Sequence, residues 1–322
     1  MKTKPLGRTG REVGIVGFGT AFLGRARNQP TDMTAGSFLI DADLGVEALV
    51  AGLDAGITLI DTAPFYKTEP LVGEALRQTT VDRDAITVMT KAGRPGIGEF
   101  DFSPDAIKRH VESSLEKLGL DRIDVVSIHD AVHEPVPVVM GKGGAFSALA
   151  ELRDQGVIGA IGSACYDPAI NAEYLETGEF DVAICSASWS MINLTLRERV
   201  LPAARKHNVG LLIGEPLERG LLAVGPVPGR TYADRKFSQA VLDRVGEIQR
   251  LCEAHGYRLL DVGLHWMVRE PQVAAAIPGA ATADEARANA AVGDVVITDA
   301  FWAELDPLIT GFSYADLGIE IK

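Results

Sequence analysis

The chain has 322 residues, 47% hydrophobic and 23% charged, a balance and length that suit one globular unit able to bury its core without disulfides or metals. A formal net charge of −13 with no long basic run disfavours the positive face that nucleic acid or an anionic membrane requires, so the acidic excess reads as solubility. Three cysteines (Cys165, Cys185, Cys252) make no disulfide framework and indicate a reducing compartment, and no Cys/His cluster suggests a metal site.

The start, Met1-Lys2-Thr3-Lys4-Pro5, lacks the apolar core of a secretion signal, and no apolar run is long enough to span a bilayer, which predicts a cytoplasmic protein. Residues 3–14 read as a β-hairpin turning at Arg8-Thr9-Gly10. Short apolar runs then alternate with helical patterns. The runs are Gly14 to Gly19, Ile57 to Asp61, Ile86 to Lys91, Ile123 to His129, Ile158 to Ser163, Val182 to Ser186, Val209 to Gly214 and Val273 to Ile277. Each has the length of a strand buried on both faces. Ala42 to Ala55 carries Leu44, Ala48, Leu49 and Leu53 at helical spacing. Ser103 to Leu118 opens on an N-cap serine with proline at the first helical position, then aligns Ile107, Val111, Ser114, Leu115 and Leu118. Further helices fit Phe146 to Gln155, Thr195 to His207, Ser238 to His255 and Thr282 to Val292. Residues 23–41 and 223–236, rich in Gly, Pro, Asn and Asp, read as long surface loops across which the pattern continues, so residues 1–322 are expected to form one domain.

Eight strands separated by helices imply a parallel sheet, and eight parallel strands close a barrel. The expected fold is therefore α/β, a (β/α)8 TIM barrel with an N-terminal β-hairpin. An open doubly wound sheet would run a glycine-rich turn straight into a helix; Gly17-Phe18-Gly19-Thr20 supplies only Gly-x-Gly and meets no helix.

In such a barrel the reactive side chains come from the C-terminal ends of the strands. The first four runs end on Gly19-Thr20, Asp61, Lys91 and His129, and Tyr66 lies in the loop after the second. A phenol titrates near pH ~10, and an adjacent ammonium lowers that value. Lys91 can be that ammonium, Asp61 can hold it charged, and His129 can hydrogen-bond a substrate oxygen and share the proton work. Singly, Asp61 is a loop cap, Tyr66 a packing residue and His129 an even choice between structural and catalytic. Lys91 at the end of a buried run already calls for a partner. Four such residues at registered strand ends favour one catalytic unit.

These residues resemble a known family. Asp61-Thr62-Ala63-Pro64-Phe65-Tyr66, Thr90-Lys91 and Ser127-Ile128-His129-Asp130 resemble the tetrad motifs of the aldo-keto reductases. The segments Ser113 to Asp124, Ala150 to Ser163 and Pro278 to Asn289 extend the likeness over nearly the whole chain. Within the family, Phe100 to Ser103, the His129-Asp130 pair, Gly214 to Leu222 and Cys252 to Gly256 resemble the bacterial aldose 1-dehydrogenase and pyridoxal 4-dehydrogenase-like branch.

The resemblance implies NAD(P)-dependent hydride transfer to or from a sugar C1 hydroxyl or a related aldehyde or ketone, with Tyr66, Asp61, Lys91 and His129 catalytic. It implies cofactor contacts at Gly19, Thr20, Ser163, Ser186, Glu215, Leu217, Gly279, Thr282, Glu285 and Asn289. Phe22, Phe65, Asp130 and Trp189 are the expected substrate walls. Several positions depart from the family pattern. Ala164 and Ser186 stand where carboxamide-binding asparagine and glutamine are usual, Gly214 where a stacking tyrosine is common, and Lys67 where glycine follows the catalytic tyrosine. NADP would need basic residues for its 2′-phosphate, whereas the strand-8 loop offers Gly279 and Glu285 with Arg287 nearby, which tips the choice to NAD. The expected partner is a small molecule. A non-catalytic, cofactor-sensing barrel is the alternative, and the intact tetrad argues against it.

Overall fold

A computed structural model describes residues 1–25, 37–230, 232–233 and 235–320. The hairpin forms from β1 (Thr3–Pro5) and β2 (Glu12–Gly14), paired antiparallel. Eight parallel strands follow: β3 (Phe18–Gly19), β4 (Leu59–Asp61), β5 (Thr87–Ala92), β6 (Ile123–His129), β7 (Ile158–Ala164), β8 (Val182–Ser186), β9 (Gly210–Gly214) and β10 (Val273–Ile277). Sequential neighbours pair throughout, and isolated parallel bridges Val16–Ala276 and Gly19–Gly279 join the two outer strands, closing the barrel. At this seam Gly17 donates its N–H to Ala276 O at 2.8 Å, and Gly19 donates to Pro278 O at 3.0 Å. A Cβ on Gly19 would lie 2.7 Å from Ile277 O, so the close approach requires glycine.

The helices between and after the strands are α1 (Ala42–Asp54), α2 (Glu69–Gln78), α3 (Pro104–Leu118), α4 (Val136–Met140), α5 (Ala145–Asp154), α6 (Pro168–Glu176), α7 (Val200–His207), α8 (Leu221–Val224), α9 (Gln239–Ala254), α10 (Leu259–Val268), α11 (Ala283–Val292) and α12 (Asp299–Leu305). Several carry the start and stop chemistry of their sequence. Ser103 accepts from Ala106 N and precedes Pro104, while Gly119 ends α3 in the left-handed region. None of the described helices is long and apolar enough to cross a membrane.

Most expected elements fall within a residue or two of their observed bounds, and the differences have local causes. The first run narrows to Phe18–Gly19 because residues before it meet the barrel through single bridges. The helix expected over Thr195–His207 splits into a 3-10 turn, Thr195–Arg197, and α7. Pro202 has no N–H for a bond to residue 198, and Arg199 takes a non-helical φ of −124°. Helices α2, α4, α6, α8, α10 and α12 are not among the expected elements. Helix α10 is apolar nearly all round, since eight of its residues are buried, so no polar stripe marks it. Of the two expected surface loops, 223–236 begins inside α8 and buries Tyr232 and Arg235 at 5% exposure each; of 23–41, residues 26–36 lie outside the described residues.

The barrel interior is filled by Leu59, Met89, Val125, Val182, Leu212 and Ala275, and two larger clusters lie between sheet and helices. The hairpin closes the N-terminal end of the cylinder: its Leu6 and Val13 join the interior cluster, fully buried, and a Cβ on Gly7 would lie 2.3 Å from Gly210 N. The open end is therefore the opposite one, at the C-terminal tips of the strands. Leu6→Ala should cost about 2–5 kcal/mol through the cavity left in this plug; urea unfolding with an unshifted midpoint would contradict it.

Candidate active site

The polar ends of β4, β5 and β6 converge at that open end. Asp61 is the last residue of β4, Lys91 lies one residue from the end of β5, and His129 ends β6. Tyr66 is delivered by the 3-10 turn Pro64–Tyr66, which Pro64 starts and Lys67 ends at a φ of 61°. Lys67 thus keeps the left-handed turn that glycine adopts more freely, and its side chain is exposed.

Lys91 Nζ donates to both Asp61 oxygens at 2.8 Å each and to Thr62 O at 2.8 Å. The same ammonium sits 4.7 Å from the centre of the Tyr66 ring, close enough for its charge to act on the phenol. The Tyr66 and His129 rings lie 5.9 Å apart, edge to face, with Phe65 equally far from His129. Burial opposes the charge on Lys91, but the Asp61 carboxylate beside it leaves the ammonium raised above the ordinary lysine value. Burial, then the charges of Lys91 and Arg94, holds His129 well below the ordinary 6.5, so the imidazole is neutral at pH 7. Its Nδ1 has no hydrogen-bond partner.

Tyr66 corrects an expectation. Lys91 does pull its pKa down, but burial outweighs that pull, and with help from Asp61 and Asp130 the phenol is pushed up to about 12. The tyrosine is poised as a proton donor.

The four residues border a cleft of about 1160 Å³ at the barrel mouth. Phe22, Phe65 and Asp130 line it, as expected, and so do Gly19, Ser186, Glu215 and Gly279. The other expected residues are elsewhere. Trp189 is in the core, 5% exposed, its ring 5.0 Å from Trp266 and its Nε1 donating to Met267 O. The Thr20 hydroxyl is fully buried, donating to Asp61 O at 3.0 Å and bonded to Thr68, where it ties strand ends together. Ser163 donates to Asn171 Oδ1 at 2.5 Å, and Asn171 is held in turn by Ile184 O, so this serine is committed to the wall behind the cleft. Leu217 packs on the core beside the loop after β9. Thr282 caps α11 through Glu285 N, Glu285 accepts from Ala281 N at 2.8 Å, and Asn289 donates to Gly279 O at 3.2 Å, together bracing the loop after β10.

A dinucleotide fits this cleft. Gly214 and Gly279 line it without side chains, the capped N-terminus of α11 follows Gly279, and Arg219 and Arg235 border the same space. The sequence reading missed both arginines, as well as Glu218 and Arg94. Arg235 bonds Glu218 and lies 3.3 Å from Glu215, while Ser190 donates to Glu218 at 2.7 Å. Arg94 bonds Asp130 at 2.5 Å. A cation three residues past Lys91 was the available signal for Arg94; Arg235 lay in a segment whose composition suggested only loop.

Residues 16–310 match the Aldo/keto reductase family. The chain is 29% identical to the NADH-specific methylglyoxal reductase of Escherichia coli (strain K12), covering 93% of this chain and 96% of that one. It is 27% identical to the pyridoxal 4-dehydrogenase of Microbacterium luteolum, over 94% and 96%. With the D-threo-aldose 1-dehydrogenase of Pseudomonas sp it shares 26% identity over 92% and 94%. Among solved structures, the aldo-keto reductase AKR11C1 from Bacillus halodurans (holo form) has a TM-score of 0.76 at 24% identity and 98% coverage of each chain, a likeness of fold.

Lys91→Met should leave the Asp61 carboxylate buried without its counter-charge and destabilise the protein by about 3–5 kcal/mol. Adding Asp61→Asn should recover part of that loss. Additive losses in denaturant titrations of the two single variants and the double variant would show that the charges are not coupled.

Proposed function

The chain belongs to the aldo/keto reductase family, and from that premise we propose that it moves a hydride between a nicotinamide cofactor and a carbonyl or hydroxyl carbon, the C1 hydroxyl of an aldose being the favoured substrate group. One observation carries the reading: an ammonium clamped by a buried carboxylate lies against a phenol, beside a neutral imidazole, in a cleft large enough for cofactor and substrate. The relative named for a D-threo-aldose supports the sugar, and those named for pyridoxal and methylglyoxal mark how far substrates range among such proteins.

The cofactor, when bound, supplies or accepts the hydride and its electron pair at the substrate carbon. The chain handles the proton and the charge. In reduction, Tyr66 O–H donates its proton to the substrate oxygen while neutral His129 donates a hydrogen bond to the same atom. The phenolate left behind faces the Lys91 ammonium, which Asp61 holds in place. In oxidation the tyrosinate takes the hydroxyl proton as hydride leaves the carbon. Gly19, Ser186, Glu215 and Gly279 are the residues we assign to the cofactor.

A phenol raised to about 12 is protonated throughout the neutral range, which sets the sign of the pH dependence. Reduction needs the protonated form, so its kcat/KM should stay flat from about pH 6 to 9; oxidation needs the tyrosinate, so its kcat/KM should climb with pH over that range. Tyr66→Phe should lower kcat by about 10²–10⁴-fold in both directions while cofactor still binds, read by fluorescence titration. Turnover unchanged in this variant would remove the assigned role.

We assign NAD as the preferred cofactor. Arg287 pairs with Asp284 at 3.2 Å in solvent, and Glu285 places a carboxylate in the loop after β10, where a 2′-phosphate would be repelled. The NADH-specific relative points the same way. Steady-state kinetics should give a kcat/KM at least about tenfold higher with NADH than with NADPH; the reverse order would overturn this assignment.

A further inference from the structure

Resting on the cleft being the site of hydride transfer, we propose that Arg94 and Asp130 form a neutral donor–acceptor clamp that reads two neighbouring hydroxyl groups of the substrate. The clamp would select polyhydroxylated carbonyl compounds over both bare aldehydes and carboxylate-bearing ones. Arg94 follows Lys91 by three residues, Asp130 follows His129 directly, and both line the same cleft as the tetrad. Their ion pair measures 2.5 Å. The Asp130 Oδ2 in that pair is also 3.8 Å from His129 Nε2, so the clamp adjoins the reacting carbon's position.

The pair is built, not incidental. Asp130 holds a φ of 48°, a conformation that costs an L-residue roughly 1 kcal/mol, and its Oδ1 accepts from Tyr166 N at 2.9 Å, fixing the carboxylate. The Arg94 guanidinium lies 4.2 Å from the centre of the Phe65 ring and 5.2 Å from that of Phe100, which fixes its plane. The Arg94 side chain is 23% exposed and lines the cleft, and its guanidinium carries further N–H groups besides the one that holds Asp130. The clamp thus offers a donor with spare hydrogen-bonding capacity beside a fixed acceptor.

Chemistry narrows what such a pair can recognise. The two charges cancel, so a substrate carboxylate entering the clamp would have to compete with Asp130 for Arg94 and would be repelled by Asp130 itself. An apolar group would desolvate both ions with nothing in return. Two adjacent hydroxyls satisfy both: one donates its O–H to Asp130, and the other accepts from Arg94. Phe65 and Phe100, bordering the same space, offer apolar faces to the C–H side of a sugar ring.

The test compares substrates within one enzyme. Wild type, Arg94→Met and Asp130→Asn, each as the full chain, are assayed by nicotinamide absorbance on a panel of aldopentoses and aldohexoses and on benzaldehyde. Monodeoxy analogues of the best aldose are added. Asparagine tolerates a positive φ, so Asp130→Asn keeps the backbone if Arg94→Met does not fold. The ratio of kcat/KM for the best aldose to that for benzaldehyde should fall about 10–100-fold in either variant, chiefly through the aldose KM. One monodeoxy analogue should lose about tenfold in wild type but less than about twofold in Arg94→Met, because the missing hydroxyl and the missing guanidinium report the same contact. A ratio unchanged in both variants, or a wild type that reduces benzaldehyde but accepts no aldose, overturns the clamp and leaves the redox assignment standing. A wild type that turns over neither overturns the proposed function, and the clamp with it.

Discussion

The buried pair of Lys91 and Asp61 is the interaction on which the rest of the site depends. Neither charge would survive alone at 2% and 4% exposure, because removing one ion from water costs several kcal/mol. They survive because adjacent parallel strands put both on the same end of the barrel, where Lys91 finds three oxygens at 2.8 Å. Closure of the cylinder by its glycine seam, and the hairpin plug at the far end, serve that placement. An open or flexible sheet would let water reach the pair, weakening the field that Tyr66 feels.

That field does not act on Tyr66 in the direction a sequence suggests. A lysine beside a tyrosine reads as a device for making tyrosinate, yet Asp61 neutralises much of the lysine's effect, and burial penalises the phenolate more. In the proposed mechanism the ammonium therefore acts less to ionise the resting phenol than to receive the charge after the proton has left. His129 follows the same logic: two neighbouring cations and burial keep it neutral, so it can donate a hydrogen bond without bringing a third positive charge into a crowded space.

Much of the fold and the convergence of polar residues at the barrel mouth could be read from the chain alone, for a reason specific to barrels. Each strand is an apolar run, so the first polar residue that breaks it stands out, and the break is also the functional end. Asp61, Lys91 and His129 were visible for this reason. Trp189 was misplaced because an aromatic near a strand end gives no sign of which side of the sheet it faces; it packs on Trp266 outside the barrel. Ser163 and Thr20 were placed at the cofactor by resemblance, but their hydroxyls are satisfied by Asn171, Asp61 and Thr68, partners that spacing does not reveal. Arg235 was hidden because its partner, Glu218, sits 17 residues away in another loop.

The two walls of the cleft are built on different principles. One wall is strand ends, whose geometry is fixed by the ladder of the sheet. The other is loop, and it is held by charge. Glu215, Glu218 and Arg219 all take positive φ values, an arrangement that non-glycine residues rarely adopt and that needs external support. The support is Arg235, which reaches from a second loop to bond Glu218 and lies beside Glu215, while Ser190 secures the other Glu218 oxygen. Burial raises Glu218 above the ordinary carboxylate range, with Arg235 opposing that shift. The loop wall is therefore as dependent on a buried ion pair as the strand wall is, and Arg235 of the one pair and Lys91 and Asp61 of the other line the same cleft. In the proposed mechanism the strand wall does chemistry with its charges, whereas the loop wall uses its charges to hold a shape; the first stands at strand ends, where an apolar run breaks, and the second does not, which is why only the first announced itself in the sequence.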